Sequence, residues 1–148
     1  MDIGIRSARL EDLEQIYRIE IESFKIPYPL EYLYLLLSLA GDLFIVAVRC
    51  NEIVGYAVGL LRIDNTGHIV SIAVANKYRG RGIGKRLLQE LERRLKDKGA
   101  KRFRLEVRVS NRIAINLYLK LGYRIDRVIP RYYPDGEDAY LMIKDDCS

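Results

Sequence analysis

The chain has 148 residues, 49% hydrophobic and 30% charged, which is enough to bury the core of one globular domain spanning residues 1–148. Two distant cysteines, Cys50 and Cys147, and the single His68 argue against a disulfide scaffold and a histidine-based metal site, so we expect no metal. The net charge is +5, no stretch nears the roughly 20 apolar residues that span a bilayer, and no leader-like segment opens the chain, which together predict a cytoplasmic protein with no membrane partner.

The first half of the chain contains four β-rich runs, and turn residues separate the last three of them. These runs are residues 3–7, 43–49, 53–63 and 68–74. Between the first two runs, residues 11–24 and 30–40 have helical spacing, and the Pro27-Tyr28-Pro29 turn precedes the second helix. Because the strands follow one another closely, we expect an antiparallel meander.

The second half alternates helices and strands. After a glycine-rich loop, a helix with leucines on one face runs to a cap at Gly99, and it crosses over to a strand at 103–109. Ser110 or Asn111 caps a further helix that ends near Leu121, and two more strands close the chain. The predicted fold is α/β: a mixed, mostly antiparallel seven-stranded sheet with a central parallel pair (68–74 and 103–109) and about four flanking helices.

The loop Arg79-Gly80-Arg81-Gly82-Ile83-Gly84 lies between a strand and a helix start, which is the usual arrangement for binding a phosphate. It is not a dinucleotide fingerprint, because Lys85 stands where the third glycine belongs. It is not a P-loop either, because Arg79 replaces the first glycine and Arg86 the Ser or Thr. We therefore interpret the loop as a binding site for a pyrophosphate of another kind.

The charge distribution supports an anionic ligand. Residues 77–112 carry 14 Lys and Arg against 4 Asp and Glu, a net charge of +10, while the other 112 residues carry −5. Part of this charge has a simpler explanation, because Arg93, Arg94, Lys96 and Lys98 can solvate an outer helix face. Specific nucleic-acid binding is disfavoured, since aromatic residues do not alternate with the basic ones, and ribosome proximity is the one form of it we expect.

Three segments resemble one family of enzymes. Arg79-x-x-Gly82-x-Gly84 matches the R/Q-x-x-G-x-G/A loop of the GNAT acetyltransferase superfamily. Residues 105–123 resemble the L-E-V-R-x-S-N-x-x-A-I-x-L-Y-x-x-L-G-F/Y segment of its RimI-like and Ard-like protein N-terminal acetyltransferases, and residues 132–142 resemble their Y-Y-x-D-G-E-D-A-Y-x-M segment. The resemblance covers the whole chain and implies a GNAT fold of the archaeal type.

This resemblance implies acetyl-CoA as the cosubstrate and positions that bind it. Backbone groups of Ile72, Ala73 and Val74 would hold the pantetheine arm, and the Val74 amide would polarise the thioester carbonyl. Asn111 and Tyr118 would also contact acetyl-CoA. The pyrophosphate would lie on the glycine loop and the helix start, which comprise Arg79, Gly80, Arg81, Gly82, Ile83, Gly84 and Lys85.

Three residues are candidates for proton transfer. Glu106 is a carboxylate in mid-strand, which suggests a general base, although an exposed strand face paired with Arg104 or Arg108 would also explain it. The resemblance implies that His68 assists Glu106 through an ordered water, while a lone histidine is otherwise more often a surface or capping residue. Helical spacing makes Tyr118 a core residue, and the resemblance makes it the general acid toward the thiolate.

Two tyrosine-bearing loops are expected to flank the acceptor. The resemblance implies that Tyr28, Glu31 and Tyr32 shape the pocket for the first side chain, and that Tyr132 and Tyr133 bind the peptide backbone. The loop near Tyr28 departs from the eukaryotic Ard-type pattern, which has an acidic residue there. Both small first residues and Met- or Leu-type termini therefore stay open as substrates.

The resemblance implies transfer of acetyl from acetyl-CoA to the α-amino group of protein N-termini, ribosomal proteins included, by direct attack in a ternary complex. Cys50 and Cys147 are not needed as nucleophiles. The alternatives are acetylation of lysine or a small amine, and a non-catalytic acetyl-CoA-binding or ribosome-associated module. We expect a monomer or a weak dimer.

Overall fold

Seven strands form one sheet in the computed structural model, which describes residues 2–145. The strands are β1 (Gly4–Ser7), β2 (Phe44–Arg49), β3 (Glu52–Leu61), β4 (Thr66–Val74), β5 (Arg102–Arg108), β6 (Arg124–Ile129) and β7 (Ala139–Asp145). Their order across the sheet is β1-β2-β3-β4-β5-β7-β6. Only β4 and β5 are parallel, so the predicted meander and central parallel pair are confirmed.

Residues 2–145 contain four α-helices, as predicted: α1 (Leu13–Ser23), α2 (Leu30–Ala40), α3 (Ile83–Asp97) and α4 (Arg112–Lys120). A single 3-10 turn at Leu10–Asp12 begins the region that the sequence predicted as one helix from residue 11. The side chain of Asn111, not Ser110, caps α4, accepting the Ala114 N–H at 3.3 Å. Gly99 ends α3 with a φ of 107°, which a residue with a side chain rarely adopts.

The two faces of the sheet carry different helices. α1 and α2 pack on one face, and α3 buries its leucine face on the other. Along β5 the side chains alternate: Phe103, Leu105 and Val107 are buried in the core, and Glu106 points to the opposite face. The expectation that Glu106 leaves the apolar side of its strand is confirmed.

A β-bulge in β4 changes which residues face α1. Val58 pairs with Ser71 while the next residue, Gly59, pairs with Ile69, so Val70 is the extra residue. Alternation therefore restarts at Val70, and both His68 and Ser71 lie on the same face of the sheet.

β4 and β5 pair over only three positions, Thr66 with Arg102, Gly67 with Phe103 and His68 with Arg104. Beyond this point the described structure has no ladder between them, although β5 continues to pair with β7. The two strands thus open a cleft whose apex lies at His68. This cleft positions the candidate site.

Candidate active site

The start of α3 at one end of the cleft is built to bind an anion. Gly80 and Gly82 have φ values of 78° and 79°, which turn the chain sharply into the helix. The first intrahelical hydrogen bond runs from Arg86 N–H to the Gly82 carbonyl at 3.1 Å, so the amides of residues 83–85 have no intrahelical acceptor. A Cβ at Gly80 or Gly82 would meet no atom within 4 Å, which leaves open space beside the loop. These residues fit a pyrophosphate.

The two arginines of this loop have partners within the protein. Arg79 donates from Nε to the Val74 carbonyl and from Nη2 to Ser23 Oγ, both at 3.0 Å. Arg79 therefore ties the loop to the ends of β4 and α1. The Arg81 guanidinium lies 5.7 Å from the centre of the Tyr78 ring.

The free edge of β4 leads from the anion loop toward the apex. Ala75 N–H donates to the Val54 carbonyl at 2.9 Å, so ladder alternation turns the N–H and C=O of Val74 and Ile72 away from β3 and into the cleft. Gly84 at the start of α3 lies beside this edge and α4, because a Cβ there would be in ordinary contact with Val74 Cγ2 and Leu117 Cδ2, at 3.7 Å from each. Two of the three predicted pantetheine positions, Ile72 and Val74, thus face the cleft that holds the anion loop, whereas the N–H and C=O of Ala73 point toward β3.

His68 and Glu106 meet at the apex, although 38 residues separate them in sequence. His68 Nε2 and Glu106 Oε1 are 2.7 Å apart, and both side chains are about nine-tenths buried, 11% and 10% exposed. The contact is direct. The second nitrogen of His68, Nδ1, lies 2.5 Å from Arg62 Nη2. Sequence reasoning missed Arg62, which comes from the turn that precedes β4.

Glu106 is ionised in spite of its burial. Burial raises its pKa, but the hydrogen bond with His68 and the charges of Arg104 and Arg62 outweigh this effect, so its pKa lies below the usual value. Glu106 Oε2 is 3.5 Å from Arg104 Nε, an atom with no hydrogen-bond partner in the described structure. Glu106 is therefore near Arg104, as one interpretation of the sequence expected, but its shorter contact is with His68.

Tyr118 is 7% exposed, and its ring centre lies 6.0 Å from that of Tyr123. Burial raises the pKa of Tyr118 to about 12, so the hydroxyl keeps its proton at neutral pH. Within residues 2–145 this hydroxyl has no hydrogen-bond partner. The side chain is thus both the core residue that its spacing indicated and an available proton donor.

Tyrosines from both predicted loops cluster around Glu106. The ring centres of Tyr28 and Tyr32 are 4.7 Å apart, and those of Tyr132 and Tyr133 are 5.0 Å apart. Burial raises the pKa of Tyr132, and the Glu106 carboxylate raises it further through its charge and a hydrogen bond. Burial also raises the pKa of Tyr28 to about 12, with contributions from both loops and from Glu106. These four tyrosines are called the tyrosine cluster below.

Comparison with known proteins decides the family. The sequence model of the acetyltransferase (GNAT) family matches residues 13–123. The chain belongs to the GNAT family. Its RimI-like and Ard-like resemblance is confirmed as well, and archaeal relatives are among the most similar.

Several GNAT relatives match nearly the whole chain. An uncharacterized N-acetyltransferase of Methanocaldococcus jannaschii is 43% identical over 95% of this chain and 90% of its own length. The N-alpha-acetyltransferase of Saccharolobus solfataricus is 38% identical, covering 97% and 93%. A putative ribosomal protein bS18-alanine N-acetyltransferase of Bacillus subtilis is 36% identical, covering 94% and 93%.

Two solved GNAT structures carry the same fold. Ard1 from Thermoplasma volcanium superposes with a TM-score of 0.96 over 100% of both chains, at 28% identity. A chain of the NatC complex bound to Gag peptide and CoA superposes with a TM-score of 0.91 over 98% and 99% of the two chains, at 25% identity. GNAT proteins thus bind CoA on this fold.

Sequence reasoning missed the residues that hold the first of the two predicted substrate loops, the one at Tyr28. Glu20 is 2% exposed, and it accepts hydrogen bonds from the Tyr28 N–H at 2.9 Å and from the Tyr56 hydroxyl, which also bonds to Ser71 at 3.0 Å. Burial raises the pKa of Glu20. A usable signal was present, because Leu13, Ile16 and Glu20 share one face of α1.

Sequence reasoning also missed that Arg108 holds the loop of Tyr132 and Tyr133 in place. Arg108 Nη1 bonds to Asp135 at 3.0 Å and to Glu137 at 2.7 Å, and its guanidinium lies 4.1 Å from the Tyr133 ring centre. The period-2 alternation of β5, which places Arg108 on the face of Glu106, was the available signal.

One predicted substrate residue lies elsewhere. Glu31 is exposed and lines a groove on the outer side of α1 and α2 with Leu10, Glu14 and Tyr34, while the tyrosine cluster faces Glu106. The structure therefore does not bring Glu31 to the apex. Its neighbour Tyr32 does reach the cluster.

Cysteines and metal ligands take no visible part in the site. Cys50 is exposed in the turn between β2 and β3, and Cys147 lies outside the described residues. Among residues 2–145, no group of three His, Cys, Asp or Glu side chains is placed to hold a metal ion. No helix in that range is long and apolar enough to cross a membrane.

Proposed function

We propose that this chain transfers the acetyl group of acetyl-CoA to the α-amino group of protein N-termini. One observation carries the proposal: the buried Glu106 carboxylate lies at the cleft apex, with the free edge of β4 on one side and the tyrosine cluster on the other. The N-alpha-acetyltransferase relatives at 38–41% identity support it. The reaction is a direct attack in a ternary complex.

The cleft residues account for binding of the acetyl donor. Bound acetyl-CoA supplies a thioester, which is an activated acyl group with a thiolate as its leaving group. The amides of residues 83–85, with Gly80 and Gly82 shaping the loop, receive the pyrophosphate. The backbone of Ile72 faces the cleft and pairs with the pantetheine arm. The Val74 amide polarises the thioester carbonyl, while the Val74 carbonyl accepts the Arg79 hydrogen bond. Tyr118 donates the proton that the departing thiolate requires.

The basicity of Glu106 favours an α-amine as the acceptor. A carboxylate with a lowered pKa is a weak base, so it suits an amine that is already partly neutral. An α-amine with a pKa near 7.7 is roughly one-sixth neutral at pH 7, whereas a lysine amine near 10.4 is neutral only about once in several thousand molecules.

The tyrosine cluster supplies the acceptor site in this proposal. Tyr28 and Tyr32 shape the pocket for the first side chain, and Tyr132 and Tyr133 bond to the peptide backbone. The basic centre of residues 77–112 and the Bacillus relative named for ribosomal protein bS18 support ribosomal proteins among the acceptors, in the cytoplasm.

A matched set of peptides tests the proposal. Each peptide is incubated with the enzyme and labelled acetyl-CoA: one has a free N-terminus and no lysine, one a blocked N-terminus with lysine, and one both groups. We expect label on the free α-amine only, at an unchanged rate when EDTA is added. Label on lysine alone would establish the alternative enzyme. Binding of acetyl-CoA without transfer would establish the non-catalytic module.

A further inference from the structure

His68 is held at both ring nitrogens. Arg62 Nη2 lies 2.5 Å from Nδ1, and Glu106 Oε1 lies 2.7 Å from Nε2. The Arg62 backbone is itself fixed by the turn before β4, since its N–H donates to the Thr66 carbonyl at 2.8 Å and its carbonyl accepts the Asn65 N–H at 3.0 Å. The guanidinium therefore reaches His68 from a fixed point of the chain.

These contacts determine the tautomer of His68. A guanidinium has only N–H donors and keeps its charge, so Nδ1 must offer its lone pair to Arg62. Nε2 then carries the ring proton and donates it to Glu106 Oε1. An imidazolium would set an N–H at Nδ1 against an N–H of Arg62, with two positive charges in contact. The histidine is thus neutral and has no lone pair left for a substrate proton.

We propose that Arg62 is a positioning residue that locks His68 as the neutral Nε2–H tautomer, so that Glu106 alone accepts the proton of the attacking amine. This inference rests on the proposed function. In the step, an N–H bond of the amine breaks and an O–H bond forms at Glu106 Oε2, the oxygen that does not bond to His68. His68 neither gains nor loses a proton, and its role is to orient Glu106.

The surroundings of the pair agree with this assignment. The groups that face it are two cations, Arg62 and Arg104, and the phenols Tyr28, Tyr132 and Tyr133. Both cations favour an ionised Glu106 and oppose a charge on His68.

Because His68 is the only histidine of the chain, nitrogen NMR of the imidazole reports its protonation directly in the intact protein once any purification tag is removed. In the wild type we expect a protonated Nε2 and an unprotonated Nδ1 from pH 6 to pH 8. In Arg62→Met we expect the lock to be lost, so that the spectrum no longer shows the Nε2–H tautomer alone. Arg62→Lys keeps a cationic donor and should restore the Nε2–H tautomer.

Kinetics supply the second readout. We expect Arg62→Met to lower kcat about tenfold, the effect of losing one charge-assisted hydrogen bond, with KM for acetyl-CoA unchanged. The wild-type rate already falls on the acid side as the α-amine is protonated. Arg62→Met should make this fall steeper, and Arg62→Lys should recover most of the rate. Arg93→Met, which removes an exposed arginine of α3 paired with Glu90, is the matched control for charge.

Three results would overturn the inference: an Nδ1–H tautomer in the wild type, an imidazolium in the wild type at pH 7, or an unchanged spectrum in Arg62→Met. The wild-type spectrum needs neither a variant nor a substrate, so it tests the inference even if the Arg62 variants fold poorly. If the peptides are not acetylated on their α-amines while the spectrum is as expected, the proposed function fails and the tautomer lock stands.

Discussion

The two ends of the cleft are built in opposite ways. At the anion end, one continuous stretch, residues 79–85, forms the glycine loop and presents the backbone amides of residues 83–85 at the start of α3. At the apex, Arg62, His68 and Glu106 come from three places in the chain and act through their side chains. Local backbone geometry makes the first end, and the tertiary fold makes the second.

This difference predicts different consequences of mutation. Changes at the anion end should alter the affinity for acetyl-CoA, because its groups bind a part of the cosubstrate that does not react. Changes at the apex should alter kcat, because its groups act on protons that move during the reaction. An anion-end variant that changed only kcat, or an apex variant that changed only the affinity for acetyl-CoA, would contradict this comparison.

The largest effect is expected for Glu106→Gln. The amide keeps the shape and accepts the His68 hydrogen bond but is not a base, so kcat should fall about 10²- to 10⁴-fold with acetyl-CoA affinity within twofold of wild type. Steady-state kinetics and a binding titration measure the two quantities. Asp126→Asn removes an exposed carboxylate of the edge strand β6, which β7 separates from β5, and serves as the control. A loss of less than threefold in kcat would remove Glu106 from catalysis.

The next effect is expected for Tyr118→Phe, with kcat lowered about 10- to 100-fold and little change in Tm, since the hydroxyl has no partner in the described chain to lose. Tyr123→Phe is the matched control: its hydroxyl donates to Glu92 at 2.7 Å, so its removal should cost about 1–3 kcal/mol of stability and leave kcat alone. If both variants lose stability and neither loses kcat, Tyr118 is only a core residue.

The same comparison explains what the sequence could predict. The meander of the first four strands, the parallel pair and the glycine loop follow from hydrophobic period and from adjacent residues, and all agree with the structure. The position of β7 between β5 and β6 was not predicted. Glu106 could be identified because period-2 alternation put a carboxylate on the other face of an apolar strand.

Residues whose position in the site depends on tertiary contacts could not be predicted from the sequence. Arg62 lies in a turn rich in polar residues, and nothing local marks its contact with His68. The bulge at Val70 changes the face of every following residue of β4, which no periodicity rule anticipates. Glu31 and Tyr32 are neighbours in sequence, yet the helical turn sends them to different sides of α2.

At the anion end, Gly82→Ala should weaken acetyl-CoA binding about tenfold, with kcat at saturation unchanged. Alanine at a φ of 79° costs about 1 kcal/mol or more, and relief of that strain would turn the first amides of α3 away from the ligand. Gly99→Ala is the matched control, because it strains the other end of the same helix at a φ of 107° and should lower Tm alone. Equal affinities in the two variants would contradict a role for the α3 start in binding.

The smallest effect is expected for Arg108→Met, which distinguishes residues of the apex that bind the peptide from those that move a proton. Arg108 touches neither His68 nor Glu106 in the described structure, but it braces the Tyr132–Tyr133 loop through Asp135 and Glu137. Loosening this loop should raise the peptide KM about three- to fivefold, since ordering it again on binding costs free energy, with kcat and acetyl-CoA affinity unchanged. Arg124→Met breaks a comparable ion pair with Asp145 on the edge strand and should leave the peptide KM as it is. A drop in kcat without a change in the peptide KM would place Arg108 with Glu106 in proton transfer, and the apex would then extend along the whole polar face of β5.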